Sequence, residues 1–152
     1  MAHGRIGVRT ITTTSGAACF ELIGPPVSSS NEHQSKGFYL TQLRVTMAAA
    51  TASVFGLGRP AAKGVTPTAP VRVQPSMGGQ VQALDTTTAV AWGTPPTIPA
   101  VFLDRINLAG AIGSTQVVEL ENPIYIPAGE TLILWNIGVT GVADVTVVGR
   151  EQ

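Results

Sequence analysis

Glu119 and Glu121, in the run Thr115–Glu121 (TQVVELE), are the closest this chain comes to a catalytic pair. Two carboxylates flanking a glycosidic bond can act as acid and as base or nucleophile. Here they alternate with Val118 and Leu120, so on an extended strand both project from one wet face, the ordinary pattern of a half-buried strand. Ser28-Ser29-Ser30 and His33 supply a nucleophile and a base by type. A Ser-rich polar loop gives such a group no rigid support, and no G-x-S-x-G elbow occurs. His3 and His33 lack the i, i+2 or i, i+4 partner and the neighbouring Cys pair of a zinc site, and are expected to be solvated. Gly58-Arg59-Pro60-Ala61-Ala62-Lys63-Gly64 departs from the phosphate-loop pattern. Its Lys63 precedes the second glycine, no Ser or Thr follows in place, and Pro60 removes an amide that would face phosphate. No enzymatic activity, cofactor or metal is expected.

The composition explains where a chain without catalytic groups could still act. Charged residues make up 12% of the 152 positions, against about 25% in an average globular protein. Nine basic and nine acidic residues cancel, and the basic ones are scattered. A nucleic-acid binder would gather them into a stripe that neutralises phosphates, so direct nucleic-acid binding is not expected. A neutral, charge-poor surface suits burial against neighbours and self-association. Cys19, in Ala17-Ala18-Cys19-Phe20, is the single cysteine; it permits no intrachain disulfide and reads as a small buried hydrophobe from a reducing compartment. Met1–Arg5 lacks the apolar region of a signal peptide, and the longest apolar candidate, Val45–Gly58, is too short and too polar to span a membrane.

The elements that must position these residues are strands. Val, Ile and Thr dominate, and 17 glycines and 11 prolines leave no long helical window. Strand-like runs fall at about 5–13, 17–23, 37–47, 52–57, 69–74, 79–84, 87–92, 99–108, 115–121, 124–126, 130–137 and 142–149. Many short strands separated by turn signals predict an all-β chain, a single β-sandwich or jelly-roll-like domain. Val145 and Val147 share a face opposite Asp144 and Thr146, whereas Leu132-Ile133-Leu134-Trp135 is apolar on both faces. The latter predicts a central strand covered on both sides. Met47–Ala52 is rich in alanine and fits either a short helix or a tight connection. The polar stretch Gly24–Lys36 divides the chain into an extended N-terminal arm with its linker (1–36) and a β-sandwich domain (37–152). Such an arm could pair with the sheet edge of a neighbour.

Four stretches, FYLTQLRVT (38–46), GLGRPAAKGVTPTAPV (56–71), AVAWGTPPTIPAVFLDRINL (89–108) and IYIPAGETLILWNIGVTGVADVTVVG (124–149), resemble the small virion structural proteins of tailed bacteriophages. The resemblance covers about 38–149 and leaves residues 1–37 outside it. It implies a β-sandwich or jelly-roll subunit whose work is adhesion: a capsid decoration or cement protein on the exterior of the virion. The implied partners are the major capsid protein and further copies of the chain, a trimer being favoured. The expected contact residues are Arg5 and Arg9 on the arm, Arg59, Pro60 and Lys63 in the first Gly/Pro loop, and Trp92, Pro95 and Pro96 around the second. A tail or head–tail connector component is the structural alternative. A receptor- or carbohydrate-binding β-sandwich is the other, with Trp92 as the aromatic to examine for sugar stacking.

Overall fold

The computed structural model describes residues 2–27, 37–69, 72–73 and 84–152. Among these the chain forms twelve β-strands and no helix. Four strands open the chain: β1 (Ala2–Thr13), β2 (Ala18–Ile23), β3 (Gly37–Met47) and β4 (Ser53–Gly58). Four short ones follow: β5 (Val65–Thr68), β6 (Arg72–Val73), β7 (Thr87–Ala89) and β8 (Ala91–Thr94). The last are β9 (Asp104–Leu108), β10 (Thr115–Pro127), β11 (Thr131–Asn136) and β12 (Gly141–Glu151). Two five-stranded sheets result, ordered β10-β3-β12-β1-β6 and β7-β2-β11-β4-β9, with β5 and β8 forming a separate ribbon. Every pairing is antiparallel. The chain changes sheet at each step from β1 to β4 and again from β9 to β12. That alternation places β10-β3-β12-β1 over β2-β11-β4-β9, the strand arrangement of a jelly roll.

Alternation in the sequence becomes layering in space. Along β12, Ala143, Val145 and Val147 are buried while the residues between them are half-exposed. On β3, Phe38, Leu40, Leu43, Val45 and Met47 turn inward and meet Phe20 and Leu22 of β2, Phe55 and Leu57 of β4 and Leu132 and Leu134 of β11 in one apolar cluster. The Ala-rich stretch after β3 is a tight connection, with the Thr51 amide donating to the Ala49 carbonyl at 2.8 Å. The runs expected at 115–121 and 124–126 are one strand, β10, and Leu120–Pro123 take up a register shift between Glu119 and Ile124. Pro123 is tolerated there because β10 lies at the edge of its sheet. Most of the run expected at 79–84 lies outside the described residues; in the Gly/Pro-rich stretch after β4, residues 65–68 form β5.

The N-terminal residues are not an arm. β1 lies inside the first sheet, paired with β12 from Ala2 opposite Glu151 to Thr13 opposite Gly141, and with β6 through Gly7 and Val8. Ile6, Val8 and Ile11 are buried in the common core. Apolar residues at alternating positions next to a free ladder are better satisfied inside a sheet than in solvent. The division at residue 36 therefore separates no arm from the sandwich, because β1 and β2 belong to it. Of the polar stretch Gly24–Lys36, read as a linker, residues 28–36 lie outside the described residues.

All six residues of β11 are buried, as a strand covered on both sides requires. Leu132 and Leu134 face the core, and Ile133 and Trp135 face the opposite way, beneath the segment that joins β4 to β9. Phe102 of that segment packs on Trp135 with ring centroids 6.0 Å apart. Glycine on β4 makes room for it: a Cβ at Gly56 would lie 2.6 Å from the Phe102 ring. Within this connection Phe102 and the β5-β8 ribbon thus form a third layer over the second sheet, while β6 and β7 join the sheets themselves.

Candidate interaction surface on the third layer

The third layer is fixed to the sandwich by polar contacts at its margins. Glu21 of β2 sits opposite Ile133 on the outer face of the second sheet and is 3% exposed. Trp92 of β8 donates its indole N–H to Glu21 Oε2 at 2.6 Å. Burial pushes the Glu21 carboxyl above the ordinary glutamate range. The Trp92 N–H, the Thr131 hydroxyl and the charge of Lys63 act in the opposite sense and are outweighed. Gly64 permits the indole to lie flat, since a Cβ there would come within 2.4 Å of Trp92 Cδ1. Lys63 donates to the Gly129 carbonyl at 2.8 Å and pairs with Glu130 at 3.0 Å. Both partners of that ion pair are about half exposed, so it orients the loop and adds little stability. Arg59 donates to the Tyr125 carbonyl at 2.7 Å, clasping the layer to β10.

This arrangement anchors a layer and does not expose a reactive group. Glu21 has an acid's raised pKa, but it is buried and its carboxylate is taken up by the Trp92 indole. Cys19 is the extra residue where β2 bulges between Phe20, opposite Leu134, and Ala18, opposite Trp135. Its thiol donates to the Leu134 carbonyl at 3.2 Å, and burial pushes its pKa up to about 12. The nucleophilic thiolate is therefore suppressed. Among the described residues, no group of three or more His, Cys, Asp or Glu side chains could hold a metal ion. His33 and Ser28–Ser30 lie outside the described residues.

A buried polar hub, not anticipated from sequence, supports the end of the sandwich beside this layer. Asn136 closes β11 and is fully buried. Its Nδ2 donates to the Thr13 and Val139 carbonyls, each at 2.8 Å, and its Oδ1 accepts from Ser53 Oγ at 2.8 Å and the Gly138 amide at 2.9 Å. Four bonds saturate the amide and tie β1, β4 and the β11–β12 turn together. The only sequence signal is a polar residue ending an apolar strand.

Of the residues expected to form contacts, Arg59, Pro60, Lys63, Trp92, Pro95 and Pro96 are brought together in the third layer. Arg59, Lys63 and Pro95 are exposed, Pro60 and Trp92 half-buried, and Pro96 buried. Trp92 is held by Glu21 and fits over Gly64, so its indole latches the third layer to β2. Arg5 and Arg9 are exposed on β1, in the other sheet. Sequence reasoning missed the apolar part of this surface. Ile98, Val101 and Leu103 are 44%, 79% and 56% exposed on the stretch leading into β9, and Val65 of β5 is 58% exposed. Val101 and Leu103 fall in the strand-like run expected at 99–108, whereas β9 begins only at Asp104. No family model, curated protein or solved structure matches this chain.

Proposed function

We propose that the chain is a non-enzymatic structural protein of a bacteriophage virion, a decoration protein that binds the outside of the assembled capsid shell and stabilises it alongside further copies of itself. The observation that carries the adhesive part of this reading is the set of exposed apolar side chains, Ile98, Val101 and Leu103, held on a layer that is itself latched to a jelly roll. Exposed apolar groups gathered on one rigid stretch are the usual mark of a protein-binding surface. The chain as a whole is poor in charge, 12% of its residues, which keeps the desolvation cost of association low. The phage context rests on the resemblance of 38–149 to virion structural proteins. A subunit that binds only the assembled shell stabilises it by mass action, and oligomerisation multiplies weak contacts by avidity.

The test is stoichiometry and position. Quantitative mass spectrometry of purified virions should find about one copy or trimer per capsomer position, and shells carrying the chain should resist heat better than bare ones. A Val101→Asp, Leu103→Asp double variant should stay folded and lose shell binding. Ring stoichiometry would move the protein to the tail or connector, and its absence from virions would overturn the reading.

A further inference from the structure

The outer face of the first sheet, on the other side of the sandwich, carries a depression with a specific structural origin. Both ladders flanking β3 break at the same residue. On one side Gln42 pairs with Val148 and Leu40 with Gly149; on the other Gln42 pairs with Glu119 and Leu40 with Ile124. Thr41 is thus passed over by both neighbours, and its hydroxyl donates to the Val148 carbonyl at 3.0 Å. Bulges re-aim side chains and recur beside functional sites. Here two of them coincide and dent the sheet into a shallow groove of about 460 Å³, walled by Arg5, Gln42, Glu119, Glu121 and Val148.

The charges of the groove select among ligand classes. Arg5 stands on one wall and Glu119 and Glu121 on the other, and neither Arg5 nor Glu121 makes an ion pair with a described residue. Glu119 accepts from Gln42 Nε2 at 3.2 Å, which holds an amide and a carboxylate side by side. A metal or cationic ligand would meet Arg5, and a phosphate or other anion would meet the two carboxylates. A neutral ligand rich in hydroxyls meets neither penalty, because each hydroxyl both donates to a carboxylate and accepts from a guanidinium or amide. Next along the same strands lie Tyr39 and Tyr125, opposite each other with ring centroids 4.7 Å apart, and Arg150 stacks on Tyr39 at 5.2 Å. The Tyr39 ring lies between Tyr125 and Arg150 and the Tyr125 ring lies over Gly37, so the pair forms a fixed aromatic rim at one end of the groove.

We propose that this groove is a saccharide-binding site, taking a neutral sugar unit with Arg5, Gln42, Glu119 and Glu121 on its hydroxyls and Tyr125 at its flank. It is independent of the shell-binding surface, which lies on the third layer. The experiment probes an array of neutral, N-acetylated and acidic oligosaccharides with the intact chain, followed by titration calorimetry of the best neutral binder. Glu121→Ala and Arg5→Ala should each weaken binding at least tenfold while leaving the thermal transition in place, since both side chains are exposed. Val101→Asp should leave saccharide binding unchanged. The proposal is overturned if no neutral saccharide is retained, if only acidic ones are, or if Glu121→Ala and Arg5→Ala bind as well as the parent chain. Retention of a peptide or capsid protein through this groove, with no saccharide bound, would overturn it as well.

Discussion

Glu21 is the residue whose chemistry most depends on its neighbours. Its carboxyl is buried beneath Trp92, and burial raises its pKa above the ordinary glutamate range. A raised carboxyl pKa means that the folded chain binds its proton more tightly than the unfolded chain does. The resulting stability is complete below the unfolded pKa and is lost as pH rises through the folded one. Glu21→Gln removes this titration and keeps an oxygen to accept the Trp92 N–H. In urea titrations repeated from about pH 4 to about pH 7, the stability of Glu21→Gln relative to the parent should therefore grow with pH. Other carboxylates titrate in both proteins and cancel in the difference. A difference that stays flat, or that shrinks toward neutral pH, would show that the Glu21 carboxylate is well solvated in the folded state. Asn136 presents the contrasting case of a buried polar group that does not titrate, so its four hydrogen bonds add nothing to the pH dependence of stability.

At the scale of the element, β9 is an edge strand with a sheet's usual liability, a row of open backbone amides that another chain could pair with. Two of its amides are taken by side chains: the Arg105 N–H donates to Asp104 Oδ1 at 2.8 Å and the Asn107 N–H to Gln116 Oε1 at 3.1 Å. Removing both acceptors in an Asp104→Ala, Gln116→Ala variant should leave folding stability within about 1 kcal/mol of the parent, since both act at the surface. It should raise light scattering at high protein concentration as exposed edges pair. Unchanged scattering would show that the edge is protected by shape alone. The strands themselves were largely legible in the sequence, because alternation in Thr115–Glu121 and Val142–Val148 and the doubly apolar β11 follow directly from burial on one face or two. The third layer was only half legible. Leu132–Trp135 announced that something covers it, but Phe102 and the ribbon β5-β8 are placed by Gly56 and Gly64, whose role is to leave space and so leaves no apolar signal. The groove was not legible at all: the double break at Thr41 is a property of strand register, and register is set between strands distant in sequence. Arg5 was singled out from the sequence as an arm contact; its place on the groove wall came only with the fold.

At the scale of the whole molecule, the first and last strands close the structure together. β1 lies between β12 and β6, and Ile6, Val8 and Ile11 enter the core from it. Full burial of such a side chain contributes about 1.5–3 kcal/mol, so the three together amount to roughly 5–9 kcal/mol. That is comparable to the entire net stability of a typical domain, about 5–15 kcal/mol. Removing Ala2–Thr13 would also strip β12 of a partner along most of its length, leaving its backbone groups open. A chain lacking residues 2–13 should accordingly show no cooperative thermal transition by circular dichroism and should bind a hydrophobic dye. A projecting arm would give the opposite result, a truncated protein that melts like the parent and loses only its contacts. Because the missing element is a single strand with a defined place between β12 and β6, a synthetic peptide of the same residues should restore the transition when added in excess. The distinction bears on function as well as stability. An N-terminal strand lent to a neighbour would strip the lender's own β12 and core, so the adhesion proposed above is assigned to the third layer and not to residues 2–13.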